Sequence, residues 1–239
     1  MKRDSLYVVM PTYNEEANIE RTVRQWMPVL GGKAESSRLI VADSGSTDGT
    51  HKILTDLKEE FPQLAVLSDT GKQHGPKVIA LYRRAIDDGI DYVFQTDSDG
   101  QTDPAEFAAF WDRREAYTGQ FGNRTERGDG PQRAFVEKVV CLLVRLFFGV
   151  KVPDANAPFR LMKTEALARY LPKLPEDFNI PNIMVTVYFS HYGEKITFPV
   201  ISFKDRQGGK NSVNIPKIVK IGWKAVRDFS SLRKDMKKG

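Results

Sequence analysis

DYVFQTDSDGQ, residues 91–101, joins an apolar run to an acidic turn. Residues 91–96 predict a buried strand, because short apolar runs bounded by turn residues are typical of parallel sheets. Asp97 and Asp99 follow directly, and alternate side chains of an extended segment point the same way, so both carboxylates can face one cation. Hard oxygen ligands suit Mg²⁺ or Mn²⁺, and Gln101 can add a carbonyl oxygen or bind through water. An Asp-x-Asp by itself is more often a solvated turn, so its position in the fold decides between these interpretations.

Strand and helix patterns alternate around this segment. Apolar runs predict four strands, at 5–10, 38–43, 64–67 and 91–96. The gaps between them carry apolar residues at helical spacing, as at Ile19, Val23 and Trp26. This alternation predicts an α/β fold with a mostly parallel central sheet flanked by helices. The second half is less regular, and there we predict helices near 132–148, 163–171 and 180–190 and a strand near 195–204.

Three polar loops follow predicted strands, and the carboxyl ends of parallel strands share one edge of a sheet. They are Pro11-Thr12-Tyr13-Asn14-Glu15, Asp43-Ser44-Gly45-Ser46-Thr47-Asp48-Gly49 and Asp97-Ser98-Asp99. Tyr13 can stack on a nucleobase, Asp43 can accept an N–H from one, and a carboxylate of the first loop can meet a ribose hydroxyl. The same residues also make good helix starts, because side-chain oxygens and acids are favoured at helix N-termini. Both interpretations can hold at once.

The composition is that of an ordinary globular domain: 41% of the 239 residues are hydrophobic and 28% are charged. The one cysteine, Cys141, excludes an internal disulfide and favours a reducing, cytoplasmic setting; it lies in an apolar run and is interpreted as a core residue. The N-terminal apolar run is too short for a signal peptide, and the longest apolar stretch, at 139–150, is interrupted by Arg145. We therefore expect neither export nor a transmembrane helix.

The net charge of +5 is concentrated at the end of the chain. Residues 217–239 hold eight Lys or Arg and two Asp, a balance of +6, which leaves −1 for residues 1–216. The main body therefore has no general attraction for nucleic acid. In the tail, apolar side chains such as Ile218 and Phe229 lie largely on one side of a predicted helix and lysines on the other. This pattern fits an anionic membrane surface, or a terminal helix that packs on the domain with a solvated lysine face.

An ordered series of motifs resembles glycosyltransferase family 2, whose members have the GT-A fold. The earlier motifs are VVMPTYNEEANI, VADSGSTDGT, QHGPKVIAL and QTDSDGQTDPAEF. The later ones are GNRTERGDGPQR, LFFGVKVPDANAPFRLM and FKDRQGGKNS, and they are similar to those of dolichyl- and polyprenyl-phosphate sugar transferases. The resemblance implies a single GT-A, Rossmann-like domain over residues 1–213, with a donor half of about 1–103 and an acceptor half of about 104–213. A basic amphipathic helix, 214–239, would follow it.

The resemblance also implies roles for individual residues. The nucleotide pocket would comprise Pro11, Tyr13, Glu15, Asp43 and Asp97. The metal ligands would be Asp97, Asp99 and Gln101. The acceptor phosphate would be bound by Arg124, Arg133, Arg206, Lys210 and Ser212; a planar guanidinium pairs well with phosphate oxygens. The catalytic group would be Asp97, Asp99, Arg124 and Arg206.

The implied reaction is a metal-dependent, inverting transfer of a hexose from a UDP- or GDP-sugar to a polyprenyl phosphate. It would take place at the cytoplasmic face of a membrane, with a separate membrane subunit as a further expected partner. A polyprenyl phosphate is already anionic, so no strong general base is required. A saccharide hydroxyl as acceptor would require one, and Glu176 and Asp177 are the nearest candidates. A non-catalytic nucleotide-sugar-binding subunit is a third interpretation, and Arg160 is open as a phosphate ligand or a structural anchor.

Overall fold

The computed structural model describes residues 3–126, 130–206, 208, 226–234 and 236. The strands are β1 (Leu6–Thr12), β2 (Arg38–Asp43), β3 (Leu64–Leu67), β4 (Tyr92–Thr96), β5 (Gly119–Phe121), β6 (Phe159–Lys163) and β7 (Ile196–Thr197). The α-helices are α1 (Ile19–Trp26), α2 (Thr50–Glu60), α3 (His74–Asp87), α4 (Phe107–Asp112), α5 (Pro131–Phe148), α6 (Thr164–Tyr170), α7 (Pro181–His191) and α8 (226–234). Short 3₁₀ helices lie at Met27–Leu30, Pro104–Glu106, Arg114–Ala116 and Leu171–Lys173.

One seven-stranded sheet organises the domain, in the order β3-β2-β1-β4-β6-β5-β7. β1 pairs in parallel with β2 and with β4, and β2 pairs in parallel with β3. β6 runs antiparallel to β4 and β5, and β7 lies parallel to β5. The predicted α/β class with a mostly parallel sheet is confirmed. β4 stands in the middle of the sheet, so Asp97 emerges at the edge that also carries the loops after β1 and β2.

The second half departs from the predicted pattern in its strands. The strand predicted near 195–204 is only Ile196–Thr197, with one further bridge between Asn123 and Val200. The sequence pattern predicts neither β5 nor β6, because β5 has three residues and β6 carries a buried arginine within an apolar run. The three helices predicted in this half are present as α5, α6 and α7, with each end within one residue of the prediction.

Two apolar cores cover the two faces of the sheet. One packs α1, α2 and α4 and centres on Trp26, whose ring lies 5.2 Å from that of Phe94 and 5.9 Å from that of Phe159, centroid to centroid. The other packs α3, α5, α6 and α7. Because helices cover both faces, polar loops are confined to the edges of the sheet, as in other open α/β folds.

α8 directs its apolar side into the protein. Phe229 is buried, and its ring centroid lies 5.3 Å from that of Phe148 and 6.0 Å from that of Phe147, both on α5. Leu232 is buried in the same core. Over 226–234 the structure therefore matches the second interpretation of the tail, packing on the domain; the rest of the predicted tail helix, apart from residue 236, lies outside the described residues. In the described part of the chain, no helix combines the length and apolarity needed to cross a membrane.

Arg160 of β6 is a structural anchor. Its side chain is fully buried, and it donates to the backbone oxygens of Asn182 at 2.7 Å and Ala155 at 3.3 Å. It also donates to the hydroxyl of Thr186, and its guanidinium lies 4.7 Å from the centre of the Phe121 ring. These contacts join β6 to α7 and to the loop that precedes β6. Of the two interpretations of Arg160, the structure selects the anchor and not the phosphate ligand.

Replacing Arg160 with Leu is expected to destabilise the protein by at least about 2 kcal/mol, because two buried carbonyl oxygens and the Thr186 hydroxyl would each lose the guanidinium as a donor. Urea unfolding followed by circular dichroism measures the loss. Arg169→Leu is the matched control: the Arg169 side chain is 57% exposed and pairs with Glu194, so its removal should change the free energy of unfolding by less than about 1 kcal/mol. Equal losses in the two variants would contradict the anchor role.

Candidate active site

The loops after β1 and β2 are locked together by reciprocal hydrogen bonds. Asn14 adopts a left-handed backbone with φ of 54°, a conformation that asparagine tolerates better than most residues. Its side-chain oxygen accepts from the backbone N–H of Thr47 at 2.8 Å, and its own N–H donates to Oγ of Ser46 at 3.0 Å. The N–H of Glu15 donates to Oγ1 of Thr50 at 2.8 Å. The N-cap residues of α1 and α2, Asn18 and Gly49, make no side-chain cap hydrogen bond, so these polar side chains hold the two loops against each other and do not cap the helices.

Asp43 is a buried carboxylate at the end of β2. Its Oδ1 accepts from Oγ of Ser46 at 2.5 Å, and its Oδ2 lies 3.2 Å from Nδ1 of His51. Tyr13, on the neighbouring loop, is 41% exposed despite its size. The structure thus places both predicted base-binding residues at the same edge of the sheet. The Tyr13 ring is exposed to solvent, whereas the Asp43 carboxylate is buried.

Lys77 on α3 joins this group, although the sequence pattern does not single it out. It is buried, its Nζ donates to the backbone oxygen of Thr12 at 2.5 Å, and Nζ lies 5.3 Å from the centre of the Tyr13 ring. Burial lowers the pKa of Lys77, and the nearby charge of Asp43 opposes that shift. A helical lysine is normally a surface residue, so only the three-dimensional arrangement identifies Lys77 as part of the site.

Asp97 is oriented by a buried chain of polar side chains. Nε2 of Gln95 donates to Oδ1 of Asp97 at 3.2 Å, and Nδ2 of Asn182 donates to Oε1 of Gln95 at 2.9 Å. The hydroxyl of Tyr82 then donates to Oδ1 of Asn182 at 2.8 Å. Because each of these side chains donates a hydrogen bond to the next, the series holds the Asp97 carboxylate in one orientation. It also connects Asp97 to α3 and α7, a link that the sequence pattern does not predict.

Asp99 lies two residues after Asp97, in a loop that hydrogen bonds hold on both sides of it. Oγ of Ser98 donates to the backbone oxygen of Pro11 at 3.0 Å, which ties the loop to β1. The backbone N–H of Gln101 donates to Oδ1 of Asp99 at 3.2 Å, and Nε2 of Gln101 donates to the backbone oxygen of Lys204 at 2.8 Å. The amide nitrogen of Gln101 therefore binds the later half of the chain, and its oxygen is the atom suited to a cation.

Arg206 reaches the same edge from the later half. Its Nη2 donates to both carboxylate oxygens of Glu15, at 2.6 and 2.7 Å, and its Nη1 lies 3.6 Å from Oδ2 of Asp99. Asn18 adds a donor to Oε2 of Glu15 at 2.9 Å. Two residues that the resemblance assigns to different ligands, Glu15 to the nucleotide and Arg206 to phosphate, are thus bonded to each other in this structure.

Arg124 lies in a buried ionic cluster on the predicted acceptor side. Its Nε and Nη2 donate to the two oxygens of Asp154 at 2.7 and 2.9 Å, and Nη2 also donates to Glu137 at 3.3 Å. The guanidinium lies 5.1 Å from the centre of the Phe203 ring. Burial, followed by the charge of Asp154, raises the pKa of Glu137. This cluster borders a cavity of about 430 Å³.

Asp97 and Asp99 repel each other in a poorly solvated position. Burial raises the pKa of Asp97, an effect that Arg124 opposes and Glu15 reinforces. Burial and then the charge of Asp97 raise the pKa of Asp99. A cation stabilises the charged form of such carboxylates. Across the described residues, no set of three or more His, Cys, Asp or Glu side chains is placed to hold a metal. The oxygens of Asp97 and Asp99 suit Mg²⁺ or Mn²⁺, whose remaining ligands would come from a diphosphate and water.

The predicted residues of the donor side therefore lie at one edge, whereas those of the acceptor side are only partly placed. Arg133 lies half-buried on α5. Lys210 and Ser212 fall outside the described residues. Asp154 lies within one of the motifs of the resemblance but received no role there, and Asn182 lies outside those motifs; contacts across the fold identify both.

A sequence model of the family described as Glycosyl transferase family 2 matches residues 7–171. The chain belongs to this family. It is 26% identical over 234 residues to an uncharacterized glycosyltransferase of Synechocystis sp., covering 95% of this chain and 70% of that one. It is 24% identical over 213 residues to the undecaprenyl-phosphate mannosyltransferase of Micrococcus luteus, covering 86% of each.

A solved structure shares the fold of this family 2 glycosyltransferase. Glucosyl-3-phosphoglycerate synthase from Mycobacterium tuberculosis, in complex with Mn²⁺, UDP-glucose and phosphoglyceric acid, matches with a TM-score of 0.68. The match covers 97% of this chain and 80% of that one, at 18% sequence identity. The GT-A fold and the glycosyltransferase class that the motifs implied are confirmed.

Asp99→Asn is expected to raise the melting temperature of this family 2 glycosyltransferase in EDTA at about pH 8, because the substitution removes a half-buried charge beside Asp97. The raised pKa means that wild-type Asp99 takes up a proton as the pH falls, which relieves the repulsion. The advantage of the variant should therefore shrink towards about pH 5. Differential scanning fluorimetry across this range measures it.

The matched control is Asp103→Asn. Lys204 lowers the pKa of Asp103, so its charged form is stabilising and the variant should lose stability near neutral pH. An Asp99→Asn variant that is less stable than wild type at alkaline pH would show that the two aspartates do not repel each other.

Proposed function

We propose that this family 2 glycosyltransferase moves a hexose from a UDP- or GDP-sugar to a polyprenyl phosphate, with inversion at the anomeric carbon. The observation that carries the proposal is the pair Asp97 and Asp99, whose pKa values are raised where the polar loops meet at the end of β4. Two half-buried carboxylates that a cation would stabilise, next to an exposed tyrosine, suit a nucleoside diphosphate and its metal.

On the donor side, Tyr13 would stack on the base and Asp43 would accept an N–H from it. The synthase from Mycobacterium tuberculosis has the same fold and was solved with Mn²⁺ and UDP-glucose, which supports a nucleoside-diphosphate sugar and a divalent metal as ligands of this fold. A Mg²⁺ or Mn²⁺ ion held by Asp97, Asp99 and the side-chain oxygen of Gln101 would offset the charge of the departing diphosphate.

On the acceptor side, the proposal rests on the relative from Micrococcus luteus, whose name specifies undecaprenyl phosphate, and on Arg124. Arg124 lowers the pKa of Asp97, so its charge acts on the donor centre while its side chain borders the acceptor cavity. An oxygen of the acceptor phosphate would form the new bond to the anomeric carbon as the bond to the diphosphate breaks. Since that oxygen is already anionic, no residue needs to remove a proton.

The alternative saccharide acceptor requires a general base. The side chain of Glu176, one of the two candidates, is 81% exposed and paired with Arg83 at 2.9 Å. A general base has to lie within hydrogen-bond reach of the acceptor hydroxyl, whereas this carboxylate faces solvent and is already bonded to an arginine. Asp177 is also exposed. These positions favour the phosphate acceptor over the hydroxyl.

A lipid acceptor would bring the enzyme to a membrane as a peripheral protein. A nucleotide-sugar donor and the single cysteine favour its cytoplasmic face. The proposal includes a separate membrane subunit as a further partner. It also includes the division of the protein into a domain of residues 1–213 and a tail of residues 214–239.

Transfer of radiolabelled hexose from UDP- or GDP-sugars to a polyprenyl phosphate, in the presence of Mn²⁺, should yield label that extracts into organic solvent. Asp99→Ala is expected to reduce this transfer at least about a hundredfold, because the departing diphosphate would lose its charge compensation. Asp56→Ala is the matched control, since Asp56 is exposed on α2 and pairs only with Lys52 among the described contacts.

Each contrary outcome points to a different alternative. If the label stays in the aqueous phase, attached to a saccharide or to a small phosphorylated molecule, then that molecule and not a lipid is the acceptor. Donor binding without turnover on any acceptor would favour a nucleotide-sugar-binding subunit. Undiminished transfer by Asp99→Ala would remove the metal site from the mechanism.

Arg124→Gln is expected to raise the KM for polyprenyl phosphate about tenfold or more, with a clearly smaller rise in the KM for the donor, which Arg124 affects only through its charge. Steady-state kinetics with each substrate varied in turn separates the two constants. Arg124→Lys should recover only part of the loss, because it restores the charge without the planar fork. Arg24→Gln, at an exposed position of α1, is the control. Equal changes in both KM values for Arg124→Gln would contradict an acceptor role.

A further inference from the structure

A row of large apolar side chains is exposed along α5. Phe135 is 67% exposed, Val139 39%, Leu142 54% and Leu146 64%. Spacings of four, three and four residues place all of them on one face of the helix, which we name the α5 stripe. Single exposed apolar residues are ordinary on a protein surface, whereas a contiguous row marks an interaction site.

The charges that border the α5 stripe are positive. Lys138 and Arg145 are exposed and seven residues apart, so both follow the same edge of the stripe. The one acid in α5, Glu137, points inward: its side chain is 14% exposed and accepts from the backbone N–H of Ala155 at 2.9 Å. Two copies of this face would bring like charges together, whereas an anionic lipid surface complements them.

The α5 stripe adjoins the acceptor side of the cleft. Ala134, Glu137 and Lys138 of α5 line the cavity beside Arg124. Phe135 and Val139 are the chain neighbours of these residues and begin the stripe. A lipid whose phosphate entered this cavity would therefore find an apolar track for its chain directly along α5.

We propose that the α5 stripe docks on an anionic bilayer surface and that α5, rather than α8, carries the apolar contact with the membrane. The apolar residues Phe229 and Leu232 of α8 are already buried against the domain, so within 226–234 this helix offers mainly basic side chains. Docking through the α5 stripe would hold the acceptor cavity at the lipid headgroups. The lipid nature of the acceptor rests on the proposed function, but binding to vesicles that lack any acceptor does not.

The test is co-flotation of the full chain with vesicles of phosphatidylcholine mixed with phosphatidylglycerol, and with vesicles of phosphatidylcholine alone. Wild type should bind the anionic vesicles more tightly. Leu142→Ser combined with Leu146→Ser should weaken that binding roughly tenfold or more, because two side chains that would enter the bilayer become polar. Val200→Ser is the matched control, since Val200 is 64% exposed but lies outside α5, and it should bind like wild type.

The proposal is overturned if wild type does not float with anionic vesicles, or if the double variant floats as wild type does. It is also overturned if light scattering shows an oligomer that the double variant dissociates, because a second copy would then cover the stripe. Loss of binding on Arg227→Gln with Lys234→Gln, without loss on the α5 variant, would assign the contact to α8. Without vesicles, the double variant should transfer hexose to a short, water-soluble polyprenyl phosphate as fast as wild type does. If wild type itself shows no such transfer, the proposed function is contradicted, but membrane docking through the α5 stripe is not.

Discussion

The repulsion between Asp97 and Asp99 is the constraint on which the rest of this active site depends. Two carboxylates separated by one residue at a buried strand end destabilise the folded state unless a cation is present. The surrounding structure holds them together nonetheless. Gln95 orients the first from within β4, and Ser98 fastens the segment between them to β1. The folded chain thus maintains, before any ligand arrives, a cluster of acidic oxygens whose negative charge a divalent cation would offset.

The donor half of this arrangement could be predicted from the sequence because its determinants are local. Alternation of apolar strands and amphipathic helices is set by short-range periodicity, and the topology rule for parallel sheets then gathers the loops at one edge. The structure accordingly places Tyr13, Asp43 and Asp97 at that edge. The ends of α5, α6 and α7 also lie within one residue of the prediction.

The remainder could not be predicted because it depends on contacts between residues distant in sequence. The buried chain from Asp97 ends at Tyr82 and Asn182, which belong to two different helices. The motifs imply a role for Arg124, but only the fold reveals that Asp154 binds it from a later loop. For the tail helix, an amphipathic pattern specifies that an apolar face exists but not what covers it. The structure covers the face around Phe229 with α5 and leaves another apolar face of α5 exposed.

Calorimetric titration of UDP and GDP, with and without Mn²⁺, tests the central claim most directly. The claim is that Asp97 and Asp99 together form the site for a metal-bound diphosphate. Wild type should bind one of the two nucleotides only when Mn²⁺ is present, and Asp99→Asn should lose this dependence together with the affinity, because a neutral amide cannot replace the charge of the carboxylate. Equal binding of the nucleotide with and without Mn²⁺, or unchanged Mn²⁺-dependent binding by Asp99→Asn, would contradict the account.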